Sequence, residues 1–255
     1  MGELDFRIRS IVGQFRSIFA YHFSAQDSQK LDVFFGDILS RDEICFDIGA
    51  HVGGYSAIFS HRSKAVVAVE ANPYLMPVLK AVSLIKRNVI PVNAAVSSTD
   101  GNISFKLSSM TPMVSTGSPE FIRAVEKTPS FRRVRWDKSI CVNTTTLQKL
   151  VEKFGVPRYI KLDIEGMEAV ALSTLRTAPK YISFEFFSDR RNEAQKCLEA
   201  IEKIGEWEFN VCRAEELDMA WAEWSDRDRL DYWLKHCADE FQRGNIYAKC
   251  MRTAA

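Results

Sequence analysis

The sequence predicts an α/β protein built on a doubly wound sheet, with a helical stretch ahead of it. Three observations carry that reading. Short, largely apolar runs recur at residues 44–48, 65–69, 89–96, 159–164 and 181–186. Strands without polar alternation belong to parallel sheets covered on both faces. Between the runs, apolar residues return at helical spacing, and strand–helix alternation indicates layered α/β architecture. The chain is also large enough, because 255 residues, 46% of them hydrophobic, can bury a full core without staples.

The elements follow in order. Residues 6–19 place Phe6, Ile8, Ile11, Val12, Phe15, Ile18 and Phe19 near one helical face flanked by arginines. Such a stripe is expected to pack on its own domain. A basic amphipathic helix also suits a membrane surface or a partner, including a second copy of the chain as a homo-oligomer. A second helix is expected over 29–39. Asn72 is placed to cap a helix and Pro73 to fill its first turn, with Leu75, Leu79, Val82 and Ile85 as its stripe. Thr145 and Gln148 have capping-box spacing around Leu147, Leu150, Val151 and Phe154. Ala194, Cys197, Leu198, Ile201 and Ile204 form another helical face.

Two segments break the alternation. Residues 108–139 hold Ser, Thr, Pro and Gly, then the basic run Phe131-Arg132-Arg133-Val134-Arg135-Trp136, and read as an insertion beside the sheet. Residues 214–243 hold Trp221, Trp224, Tyr232 and Trp233 around a helix capped by Ser225. Those aromatics are expected to pack that helix onto the sheet. This second insertion separates two late strands, 207–213 and 245–251. The expected organisation is an extension over 1–40 and one α/β domain over 41–255.

Composition excludes several classes. A net charge of +1, from 34 Lys and Arg against 33 Asp and Glu, argues against a globally basic nucleic-acid binder. No apolar run reaches the roughly 18–20 residues needed to span a bilayer. Glu3, Asp5, Arg7, Arg9 and Arg16 interrupt any secretory signal. The six cysteines (Cys45, Cys141, Cys197, Cys212, Cys237 and Cys250) form no CxxC pair. They fit free thiols in a reducing compartment, and with only four histidines no metal site is expected. A cytoplasmic location is expected.

The most informative stretch is Cys45-Phe46-Asp47-Ile48-Gly49-Ala50-His51-Val52-Gly53-Gly54-Tyr55-Ser56. A strand ends in Asp47, passes through a glycine loop and enters a helix. Glycine allows a sharp turn and a close ligand approach, and the carboxyl end of the first strand opens on the ligand crevice of an α/β sheet. The next strand ends at Glu70, placed to accept hydrogen bonds from both ribose hydroxyls of a nucleoside. A dinucleotide would need GxGxxG, but here His51 holds the middle glycine position and Asp47 adds a negative charge. S-adenosylmethionine carries no phosphate and does carry an ammonium group, so the D-x-G-x-x-x-G form favours it over NAD.

Further on, Tyr159-Ile160-Lys161-Leu162-Asp163-Ile164-Glu165-Gly166-Met167-Glu168 ends an apolar strand in closely spaced acids. A helix dipole accounts for Glu165 and Glu168. It does not account for Lys161 and Asp163, which share one strand face and need each other or a polar pocket. Glu185 repeats the theme in the following strand.

In combination these pieces resemble the FkbM family of S-adenosylmethionine-dependent methyltransferases. The matching residues are Asp47-Ile48-Gly49-Ala50 with Gly53, Val69-Glu70-Ala71-Asn72-Pro73, and Asn93-Ala94-Ala95-Val96 followed by Gly101. Thr146-Leu147, the 160–168 block, Ser183-Phe184-Glu185 and Asn245-Ile246-Tyr247-Ala248 complete them. His51 stands where the family commonly has Asn. The resemblance implies a Rossmann-like, seven-stranded class I methyltransferase sheet, and methyl transfer to a hydroxyl oxygen of a small molecule or sugar. It implies that Gly49 and Gly53 line the methionine part, that Glu70 holds the ribose, and that Asn93 and Ala94 edge the adenine. Asp47, Ala50, Ser56, Ala71 and Asn72 join the expected cofactor set, and Asp163 is expected beneath the methyl group.

A hydroxyl acceptor must lose its proton, so one base within hydrogen-bond reach is expected. The candidates are Asp163, Glu165, Glu185 and His51. The arginine run suits a phosphate or carboxylate on the acceptor, or simply a solvated loop. The rival functions are an NAD-dependent oxidoreductase, a noncatalytic S-adenosylmethionine-binding module and, more weakly, a nucleic-acid methyltransferase.

Overall fold

A computed structural model describes residues 2–22, 25–126, 128, 131–213, 217–236 and 241–254. Two helices lead, α1 (Glu3–His22) and α2 (Ala25–Phe34). They are followed by β1 (Ile44–Ile48), α3 (Gly54–Phe59), β2 (Ala65–Glu70), α4 (Met76–Ile85), β3 (Val89–Asn93), β4 (Ala95–Val96) and β5 (Gly101–Leu107). Next come α5 (Pro119–Val125), β6 (Lys138–Thr145), α6 (Leu147–Phe154), β7 (Tyr159–Leu162), α7 (Glu168–Leu172) and β8 (Tyr181–Phe187). The chain closes with α8 (Arg191–Glu202), β9 (Gly205–Arg213), α9 (Arg227–His236) and β10 (Arg243–Thr253).

Seven strands form one sheet in the order β3-β2-β1-β7-β8-β10-β9. All pairings are parallel except those of β10, which runs antiparallel to β8 and β9. Largely apolar strands feed two layers at once. Phe46, Ile48, Val67, Val69, Ile160, Leu162 and Phe184 pack into one core, against α6 and α8. Their neighbours Cys45, Val66, Ala68, Tyr159 and Tyr181 pack into the other, with Phe35, Phe59 and Leu79. Phe46 is fully buried, and truncating such a ring to alanine costs about 3–5 kcal/mol. From β1 the chain winds outward to β3 and then crosses to β7. The switch point between β1 and β7 opens a crevice at the carboxyl ends of the strands.

Several local expectations are corrected. The run 89–96 is two strands, because Ala94 donates its N–H to the Glu70 carbonyl and Ala95–Val96 turns away to pair with β6. A second sheet, β4-β6-β5, results. Its β5 and β6 are alternating and half exposed, so they show no unbroken apolar run. β7 stops at Leu162, leaving Asp163 and Ile164 in the loop. The helix expected over 29–39 is α2, which ends at Phe34 before a turn that buries Phe35, Ile38 and Leu39. Asn72 caps a turn rather than α4, accepting the Tyr74 N–H at 3.0 Å, and Pro73 precedes the helix. The cap of α6 is Thr146, which accepts from the Lys149 N–H, while the Gln148 side chain accepts from the Arg176 N–H. Asp226, not Ser225, accepts the Arg229 N–H at the start of α9; Ser225 instead pairs by its backbone with Phe209. Of the aromatics there, Trp221 and Trp233 are buried and Trp224 packs on Tyr181, whereas Tyr232 is exposed.

The largest correction concerns α1. Most of its apolar stripe does not pack on its own domain: Ile8, Ile11, Val12, Phe15 and Phe19 are exposed and Ile18 is half-buried, while Phe6 is buried. The helix docks through the face of Phe6, Ser10, Gly13 and Ser17, all buried. A side chain at Gly13 would collide with the Ser109 carbonyl and Pro112. Ser10, Gly13 and Ser17 let the helix lie close to the insertion, and Phe6 is the large stripe residue buried with them. No described helix is long and apolar enough to cross a membrane.

Candidate active site

A cavity of about 870 Å³, its open mouth included, occupies the switch-point crevice. Its floor is the β1–β7 boundary. Gly49 has φ +85°, and a Cβ there would strike the Asp163 carbonyl, so two strand ends can meet only where one residue has no side chain. The Asp163 N–H donates to the Ile48 carbonyl at 3.0 Å and closes the same joint.

The loop after β1 is tied to β2 by a carboxylate. Glu70 is 7% exposed and accepts the His51 N–H at 2.8 Å and the Asn72 N–H at 2.6 Å. Burial pushes its carboxyl up to about 7, against these two donors, which lower it. His51 itself sits at φ +53°. Asn, Asp and His tolerate that left-handed backbone better than most residues, which explains how His replaces the family's Asn.

The expected cofactor residues fall into two groups. Gly49, Ala50, Glu70, Ala71, Ala94 and Asp163 line the cavity, as does His51. Asp47, Gly53, Ser56, Asn72 and Asn93 are not among the lining residues. Asp47 is fully buried, with Ser56 donating its hydroxyl to Oδ2 at 2.5 Å. Burial raises the Asp47 carboxyl, and the nearby Lys161 charge opposes this. Gly53 packs against Leu79 and Val82, letting α4 approach the loop. Asn93 donates its amide to the carbonyls of Glu70 and Ala71. These five residues shape the loop and strand ends from behind.

At the other end of the cavity lie the acids. Lys161 is 6% exposed, donates to Asp163 Oδ2 at 3.0 Å and stands 4.7 Å from the Tyr55 ring centroid. Burial alone would lower its pKa, but Asp163 and Asp47 outweigh that and raise it, so it is a fixed cation. Glu168 spends both carboxylate oxygens on the turn, accepting the N–H groups of Ile164 and Gly166. That leaves Glu165, which sits at φ +54° with its carbonyl held by the Thr116 hydroxyl at 2.8 Å. Asp163 and Glu165 line the cavity and Glu185 does not, but each of the three offers a carboxylate oxygen within 4.8 Å of the others. Burial, then the neighbouring Glu185, push Glu165 well above the carboxylate range. Burial and Asp163 push Glu185 up to about 8.

Sequence reasoning set the 108–139 segment beside the sheet, and so missed part of the wall. Pro112, Met113, Ser115 and Gly117 line the cavity, with Ile103 and Phe105 from β5 and Tyr55 from α3. The alternation of β5 was the available signal. Arg132, Arg133 and Arg135 are exposed and do not line the cavity. The five described cysteines form no disulfide; Cys237 lies outside the described residues.

The donor set suits a cationic nucleoside. Among the described residues, Lys161 is the one lysine or arginine lining the cavity, and it is committed to Asp163. A pyrophosphate would find Glu70, Asp163 and Glu165 instead of counter-charges. A sulfonium and an ammonium group would find them favourable.

The sheet order, the antiparallel β10 and a nucleoside-sized cleft at the β1–β7 switch point are those of a class I methyltransferase, with S-adenosylmethionine as its cofactor. Residues 47–241 match the family model described as the methyltransferase FkbM domain. The chain belongs to that family. It is similar to the hexuronic acid methyltransferase AglP of Haloferax volcanii, with 28% identity over 147 residues, 56% of this chain. It spans about half the length of that relative, 54%. Among solved structures it is similar to a methyltransferase FkbM from Methylobacillus flagellatus, with TM-score 0.48, 13% identity, and coverage of 82% of this chain and 44% of the other. It is also similar to a putative O-methyltransferase from Klebsiella pneumoniae, with TM-score 0.47, 9% identity, and coverage of 98% and 91%.

Proposed function

We propose that this chain transfers a methyl group from S-adenosylmethionine to a hydroxyl oxygen of a sugar or sugar-like small molecule. The observation that carries the reading is the pair Asp163 and Glu165 in the cavity lining, with the Glu185 carboxylate within 4.8 Å behind them. The methylation of a hexuronic acid named for AglP supports a carbohydrate acceptor.

When bound, the cofactor supplies a methyl group on a positively charged sulfur, already activated for displacement. The protein's work is alignment and proton removal. Glu70 accepts from the ribose hydroxyls through lone pairs that its two backbone donors leave unused. Asp163, held in place by Lys161, faces the positive charge. Glu165 or Glu185 takes the acceptor's proton. A carboxyl raised by burial and by like charge is a stronger base once ionised, and burial keeps water away from it.

The test is methyl transfer from labelled cofactor to a panel of hexoses and hexuronic acids. The expected product is a methyl ether that survives mild alkali, and Glu165→Gln or Glu185→Gln should lower turnover at least about a hundredfold. Full turnover in both variants would remove the base assignment. A product cleaved by alkali would mark a carboxyl ester and remove the hydroxyl assignment.

A further inference from the structure

The carboxylate trio raises a question that proton transfer alone does not answer. One base needs one carboxyl group, yet three carboxylate oxygens, one each from Asp163, Glu165 and Glu185, lie within 4.8 Å of one another. The nearby cations offset them only in part: Arg190 draws Glu165 down, and Arg243 and Lys161 draw Glu185 down, yet burial and like charge leave both carboxyls raised. Lys161 is spent on Asp163 Oδ2. Arg190 stacks on the Phe187 and Phe121 rings, at 3.9 and 4.8 Å from their centroids, with Asp189 as its ion-pair partner. Meanwhile Glu165, only 8% exposed, keeps a buried Oε2 that receives no hydrogen bond. An ionised carboxylate without a donor is costly to bury.

We propose that Asp163, Glu165 and Glu185 hold a hard divalent cation of the Mg²⁺ or Mn²⁺ type at the acceptor end of the cavity. Oxygens around a Ca²⁺-sized ion, at about 2.3–2.6 Å, stand at most about 5.2 Å apart, and around a Mg²⁺-sized ion, at about 2.0–2.1 Å, at most about 4.2 Å. Three oxygens within 4.8 Å of one another suit the larger ion as they stand and the smaller one after a shift of a few tenths of an ångström. All three donors are carboxylates, the ligand set of Mg²⁺, Mn²⁺ and Ca²⁺ rather than of zinc or copper. Three protein ligands leave about three of six positions for water or for acceptor oxygens. An acceptor with two adjacent oxygens, such as a vicinal diol or a hydroxy acid, fits there. Binding a hydroxyl to the cation eases loss of its proton, which passes to a carboxylate oxygen not on the metal. The S–CH₃ bond then breaks as the O–CH₃ bond forms, and the electron pair stays on sulfur as a neutral thioether. The inference rests on the proposed hydroxyl transfer for its purpose, but not for its test.

The test is cation binding by the full chain, stripped with chelator and with no cofactor or acceptor present. Mn²⁺ is titrated and its free signal followed by electron paramagnetic resonance. The expected result is one ion per chain, with affinity weakened at least about tenfold in Glu185→Gln and in Asp163→Asn. S-adenosylhomocysteine must still raise the Tm of Glu185→Gln, which shows that the fold and cleft persist. The proposal is overturned if the unmodified chain takes up no Mn²⁺ at millimolar concentration, or if the variants bind it as well as the parent. Methyl transfer that persists in chelator would remove the cation and leave the proposed function standing. Mn²⁺ binding with no transfer to any hydroxyl would do the reverse.

Discussion

The Glu70 carboxylate accepts the His51 backbone N–H at 2.8 Å and so ties the end of β2 to the glycine loop after β1. The same side chain reaches the Asn72 N–H at 2.6 Å. One residue thus builds the loop and presents oxygens to the cleft. Glu70→Ala should weaken S-adenosylhomocysteine binding at least about tenfold, and should cost about 2–4 kcal/mol of stability from two lost charge-assisted bonds. Isothermal titration and denaturant melts read the two effects separately. Unchanged affinity would remove the ribose contact.

Glu70 also sets a pH dependence. Its folded pKa is raised from an ordinary 4.5 to about 7 by burial. The folded state therefore holds the proton more tightly than the unfolded state. That stabilisation is fully present below 4.5 and is lost as pH rises through 7. In chelator and without cofactor, Tm should fall between pH 5 and pH 8. Glu70→Gln, which cannot ionise, should fall less over that range. Equal slopes would show that Glu70 does not titrate there.

Gly49 is required by the joint between β1 and β7. At φ +85° and against the Asp163 carbonyl, an added methyl group has neither a relaxed backbone nor room. Gly49→Ala should cost on the order of 3 kcal/mol or more and abolish cofactor binding. A folded variant with normal affinity for S-adenosylhomocysteine would contradict the described joint.

Lys161 neutralises acids on two sides. It is bonded to Asp163, and its charge opposes the burial of Asp47, which is fully enclosed. Lys161→Met should destabilise by about 3–5 kcal/mol, because a buried carboxyl loses its counter-charge. Adding Asp47→Asn should recover part of that loss. Additive losses in a double-mutant cycle would show that the two residues do not communicate.

The docking of α1 makes an asymmetric prediction. Phe15 is 67% exposed and Phe6 only 3%. Phe15→Ser should change stability by no more than about 0.5 kcal/mol, whereas Phe6→Ala should cost about 3 kcal/mol. The opposite ranking, measured in chemical denaturation, would mean that the apolar stripe packs on its own domain after all.

The sequence by itself determined the sheet. Largely apolar runs such as Ala65-Val66-Val67-Ala68-Val69, alternating with helical stripes, read as strands covered on both faces of a doubly wound sheet. Local chemistry was legible too. A glycine loop after β1, an acid ending β2 and a Lys-x-Asp pair in one register announced the cleft, because each depends on neighbours a few residues away. Three things were decided only by tertiary structure. Which face of α1 is buried depended on how closely Gly13 lets it approach the insertion, not on which face is more apolar. The cavity wall of Pro112, Met113 and Ser115 came from a segment with no regular pattern to read. Glu185, on a different strand, joins Asp163 and Glu165 only because β7 and β8 lie side by side in the sheet. Periodicity reports what a residue does to its own element. The convergence of charges from separate elements is a property of the folded chain alone.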